Sequence, residues 1–214
     1  MEPPLGKFAR SLLDMLDATA ACILARQHMP AAVLMYTLID AVAWAAHERS
    51  IRSVRIRFEG WTNRWLIPPL EASCHSIRAV DLYGARCAIL HTLTPNSDLT
   101  ATGEARQIAY VWGAGTAEAL RAVAGQMPET ASVIVLHFSA LESALRTAIL
   151  QFFDDAECDS NLQRLIIEAA ASHFSVLGPV PADAMCLLES RSFRSGADLF
   201  LAGTSAYRET VLQP

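Results

Sequence analysis

Apolar positions recur along most of the chain at the three-to-four-residue spacing of an amphipathic helix. From about Leu5 to Gln27, Leu5, Phe8, Leu12, Met15, Leu16, Thr19 and Ile23 share one face, with Arg10, Asp14 and Asp17 turned away. Pro30 stands where a helix can begin. The following stretch, about Pro30 to Arg49, is apolar nearly all round through Val33, Leu34, Met35, Leu38, Ile39, Val42 and Trp44. A helix of that pattern belongs at the centre of a core. Asp40 stands inside it, and an unpaired buried carboxylate is costly, so a cation, solvent or a backbone donor has to meet it.

Further helices are expected at about Ile77–Thr92, Thr116–Met127, Thr130–Ala156 and Ser160–Leu177. Pro95 disfavours helical geometry at Thr94 and so sets the end of the first of these. Gln107-Ile108-Ala109-Tyr110-Val111-Trp112, between glycines, reads as a short strand in a small β-hairpin over the helices. Gly178-Pro179-Val180-Pro181 is the clearest break. It divides one helical domain, 1–178, from a C-terminal extension, 179–214, that packs on the bundle or on a partner subunit and holds a short helix near Ala182–Glu189.

Residues 47 to 65 are the only segment in which arginines and aromatics interleave. Arg52, Arg55 and Arg57 with Trp61 would suit single-stranded RNA, through phosphate contacts and base stacking. The competing reading is a solvated helix end and loop, with Trp61 and Trp65 packed on the core.

Composition changes this picture in three ways. Hydrophobic residues make up 52% of the 214 and charged residues only 18%, which points to a subunit interface as well as a core. The net charge of −5 leaves no overall nucleic-acid footprint, so any basic site is local. The five cysteines are scattered, odd in number and never in CxxC spacing, as in reduced thiols of a cytoplasmic protein. Neither a leader pattern nor an uninterrupted membrane-length run is expected, because Asp40, His137, Glu142 and Arg146 interrupt the longest apolar stretches. Motifs for nucleotide loops, zinc peptidases and serine hydrolases are absent, so neither a metal nor a cofactor is expected.

The chemistry-bearing pair is Arg86 and His91, on the helix ending near Thr92. Five residues turn about 140° and rise about 7.5 Å, so the two do not share one narrow face. They flank one cleft if the last turn loosens, or if a second copy supplies the other wall. The C-terminal end of a helix favours cations, which suits a histidine placed there. Asp40 is the candidate partner of Arg86. Cys87 and His91 are four residues apart and do share a face, which is the spacing a thiol nucleophile with its base would need, but nothing else in the chain supports that chemistry.

The Arg-x-x-x-x-His spacing from Arg86 to His91 resembles the signature of the HEPN ribonuclease superfamily. The resemblance implies a mainly α, HEPN-like helical bundle that dimerises so that two motifs meet in a shared cleft. It also implies metal-independent cleavage of RNA, by toxins of toxin–antitoxin pairs or by antiphage defence proteins. Arg86 and His91 would be catalytic, with Asp40 and Cys87 supporting them. The expected partners are RNA, a second copy of the chain and an antitoxin or defence-system protein. Active members usually carry a polar residue after the arginine, and Cys87 departs from that. The alternative is a catalytically inactive bundle that acts as a regulatory or protein-interaction partner, with Arg86 a structural mate of Asp40. A third possibility is a helical small-molecule binder with a pocket near Trp44, Trp61 or Trp65.

Overall fold

A computed structural model describes residues 4–71, 77–114, 119, 122 and 133–172. The chain divides into a unit of residues 1–173 and a second unit of 174–214, which lies outside the described residues. The expected helix at 182–189, the extension 179–214, His75 and His173 fall outside them, as does the expected helix at 116–127 apart from Ala119 and Ala122, which are helical.

The described fold is a helical bundle with one small sheet. In order it runs α1 (Pro4–Leu24), α2 (His28–Ala45), α3 (Val54–Trp61), a π-helical turn (Thr62–Leu66) and α4 (Ile67–Glu71). There follow α5 (Ala79–Thr92), α6 (Asp98–Ala101), β1 (Gln107–Val111), β2 (Val133–His137), α7 (Phe138–Cys158) and α8 (Ser160–Ala171). The central helix is α2, which packs against α1, α3, α5, α7 and α8. Its Met35, Tyr36, Leu38, Ile39 and Val42 are fully buried. Each such side chain contributes about 1.5–3 kcal/mol relative to exposure. Among the described residues α2 is also the one helix long and apolar enough to cross a membrane, and half of it is buried inside the protein.

Three expectations need correction. The segment read as helix end and loop contains α3, which begins after Ser53, whose Oγ accepts from the Ile56 amide at 3.3 Å. Phe58, Trp61 and Trp65 then follow one another at helical spacing toward the core, while Val54 is exposed. The added residue of the π-turn keeps Trp61 and Trp65 on the inside, 6.0 Å apart, with Phe152 edge-on to both. The long helix begins at Phe138, because Val133–His137 is a strand. Val-Ile-Val-Leu has the β-branched content of a strand buried on both faces, and its lack of alternation hides it from periodicity. The sheet is not a hairpin: β1 and β2 run parallel, from Gln107 opposite Val133 to Val111 opposite His137. A parallel pair needs a long crossover, which residues 112–132 supply.

The sheet positions α5. Tyr110 of β1 and Tyr36 of α2 share a hydroxyl–hydroxyl hydrogen bond, and burial pushes both phenols above their ordinary range. Gly84 lets α5 approach the segment before β1, since a Cβ there would lie 2.8 Å from the Ala105 Cβ.

Candidate active site

Two carboxylates hold α5, one at its start and one at its middle. Asp81, in the first turn, accepts from the Arg78 amide at 3.0 Å and so caps the helix. It also takes both Arg78 and Arg106 guanidinium groups, at 2.7 and 2.6 Å, while itself fully buried. Burial alone would push this carboxyl up, but the hydrogen bonds from the two arginines outweigh it and bring it down to about 2.

Further along, Arg86 crosses to α2. Its Nε and one terminal nitrogen both donate to Asp40 Oδ2, at 2.9 and 2.7 Å. The pair is mostly buried, with 15% of the Arg86 side chain and 24% of Asp40 exposed. Burial works against the Arg86 charge, yet the bonds and charge of Asp40 prevail and raise its pKa. Asp40 Oδ1 is buried without a hydrogen-bond partner among the described residues.

The remaining Arg86 terminal nitrogen lies 3.0 Å from His91 Nε2. The helix stays regular through Thr92, and Leu93 closes it in the left-handed region at φ 53°. The reach of the arginine, not a loosened turn, closes the angular gap between the two. A guanidinium only donates, so Nε2 is the acceptor and the ring hydrogen sits on Nδ1. His91 is exposed, so this contact opens to solvent while the Asp40 contact does not. Cys87 is half-buried and free, within hydrogen-bonding reach of Arg86 and Tyr83. Burial, then Cys87, pushes the Tyr83 phenol up.

Beside this pair is a cleft of about 370 Å³, lined by Thr37, Asp40, Trp44, Val54, Arg57 and Arg86 among others. Of the four residues expected to hold substrate, Arg57 alone lines it. It also donates to the Ile51 carbonyl at 2.7 Å. Arg52 is exposed and is not among the lining residues. Arg55 is engaged by Glu59 and Glu104 at 2.7 and 2.5 Å, and these bonds, Glu104 first, raise its pKa. Trp61 is fully buried among Trp65 and Phe152, which corrects its assignment to base stacking, since its ring has no open face.

Thr37 was missed, and Trp44 was named only for a small-molecule pocket. They lie three residues before and four after Asp40, so helical spacing from the acid would have found them. Among the described residues no three His, Cys, Asp or Glu side chains converge as a metal site would require. No protein-family model, curated protein or solved structure matches the chain.

Proposed function

We propose that this protein is a metal-independent endoribonuclease of the HEPN type, acting as a homodimer in toxin–antitoxin or antiphage defence. The observation that carries this reading is the chain of contacts from Asp40 through Arg86 to an exposed His91 at the end of one helix. Asp40 holds the guanidinium in place and charged. Arg86 in turn orients the neutral His91 ring, and when RNA binds it turns from Nε2 to the phosphate, which leaves the Nε2 lone pair free to act as a general base. A ribose 2′-hydroxyl gives its proton to Nε2, and its oxygen attacks the adjacent phosphorus. The 5′-oxygen leaves with a proton, giving a 2′,3′-cyclic phosphate and a 5′-hydroxyl. Arg86 stabilises the charge that builds on the phosphate oxygens. The leaving oxygen takes its proton from a second, protonated imidazole, while the first His91 keeps the proton of the 2′-hydroxyl. In a dimer the second chain's His91 supplies that acid.

Cleavage of total RNA in EDTA tests the reading. The wild-type chain cuts, and His91→Ala and Arg86→Ala each reduce the rate by about 10²–10⁴-fold, the usual contribution of a general acid or base. Unchanged cleavage by His91→Ala removes the assignment. The second reading, an inactive bundle that binds a regulatory partner, draws on Cys87 after the motif arginine and on the depth of the Asp40–Arg86 pair. It predicts no cleavage by the wild-type chain.

A further inference from the structure

Arg86 lines one depression, and a second lies further along α5. Beyond the cleft at Arg57 and Arg86, an apolar pocket of about 340 Å³ opens between the start of α2, the end of α5 and the sheet. Its size falls at the lower end of the range for small-ligand sites, about 300–1,000 Å³. Four of its walls are rings: His28, Tyr110, Trp112 and Phe138. One pair of these rings is stacked and another tilted. His28 lies on Trp112 at 4.1 Å with 26° between planes, and Tyr110 on Phe138 at 5.0 Å and 33°. Trp112 remains 52% exposed, so half of a large indole is open beside a ring-lined cavity.

Two relations tie this pocket to Arg86. Its lining includes Ile89, three residues after Arg86 and so on a neighbouring face of α5, and Leu93, one turn further. Along α2, Ala32 lines this pocket and Asp40 lines the other cleft, with Tyr36 between them at helical spacing. Eight residues of helix place the two about 12 Å apart. One seam of α2 against α5 therefore carries an aromatic pocket and then a cleft with two guanidinium groups, while His91 lines neither.

We infer that the pocket of His28, Trp112 and Phe138 receives a nucleobase of the RNA strand, stacked on Trp112, next to the phosphate held at Arg86. This rests on the ribonuclease reading and deepens it by assigning the base subsite. The charge pattern fits one strand: the phosphodiester meets Arg86 and Arg57, while the pocket, with few polar groups, takes a flat π-face. The pocket is therefore tolerant of base identity, because every base has such a face.

The test uses the full chain carrying His91→Ala, so that RNA is bound and not cut. Three probes are compared: a short single-stranded RNA, the same strand with an abasic residue, and adenosine 5′-monophosphate. Binding is followed by anisotropy of the labelled strand and by tryptophan emission. RNA quenches the emission, and Trp112→Leu removes most of the quenching and weakens RNA binding about tenfold or more, as loss of one base–aromatic stack does. Trp112→Phe, which keeps a ring, retains most of the affinity. The abasic strand binds more weakly than the intact one and hardly distinguishes Leu from Phe. Should Trp112→Leu fail to fold, the abasic strand against the Phe variant still decides. RNA affinity indifferent to Trp112 and to the abasic residue overturns the assignment. Adenosine monophosphate binding as tightly as the strand overturns it too, in favour of a free nucleotide. Trp112-dependent RNA binding by a protein whose wild-type form cuts nothing supports the subsite while removing the nuclease. Cleavage that ignores Trp112 does the reverse.

Discussion

The carboxylates Asp81 and Asp40 are both held by arginines of or near α5, and they are held differently. Asp81 is sealed. Two guanidinium groups and the Arg78 and Arg106 amides surround its two oxygens, and none of its side chain is exposed. Asp40 is left incomplete. One oxygen takes both bonds from Arg86, the other takes none among the described residues, and Arg86 still has a nitrogen to offer an exposed histidine. A saturated buried network is what fixing a helix start and a strand start requires. A network that ends in an exposed imidazole has unused capacity at the surface, where chemistry needs it.

That contrast can be broken at several points. The largest effect is expected at the saturated end. Asp81→Ala leaves Arg78 and Arg106 without their shared anion and costs about 3–5 kcal/mol, as removal of one member of a buried pair does. Urea denaturation measures it, and a loss below about 1 kcal/mol would mean that the network does not fix the fold. Acid titrates the same group. Its folded pKa is about 2 against an ordinary 3.8, so its contribution is full above about pH 4 and is lost as pH falls toward 2. The linked stability is roughly 2 kcal/mol. In Asp81→Asn that part of the acid dependence of the urea midpoint disappears. A smaller effect is expected where α5 meets the segment before β1. Gly84→Ala brings a methyl group against Ala105 and costs about 1–3 kcal/mol by overpacking, read as a drop in Tm. At the other end, the Arg55 network with Glu59 and Glu104 lies in solvent, which screens it, so Arg55→Ala moves the midpoint least.

Legibility in the sequence follows the same physics. Helix α1 shows in periodicity, α5 in its stop before Pro95, and α2 shows as central because its apolar residues go all the way round. Asp40 could be marked for a cation because burial of a charge demands one. The Asp81–Arg106 contact spans 25 residues and carries no local signal. Strand β2 was hidden because a run such as Val133–Leu136 has no period to separate it from the helix that begins at Phe138. Trp61 was misread from its arginine neighbours. Its spacing from Phe58 and Trp65, which places it inside, was the better guide. Trp112 was taken only as the end of a strand, and its open ring depends on how β1 meets the start of α2.

The most direct measurement follows the attacking oxygen. A labelled RNA is compared, in EDTA, with the same strand carrying a single 2′-deoxynucleotide at the preferred cleavage position. The account predicts cleavage of the first to a 2′,3′-cyclic phosphate and a 5′-hydroxyl, no cleavage of the second at that position, and none of either by His91→Ala. Equal cleavage of both strands, or 5′-phosphate ends from either, would contradict it.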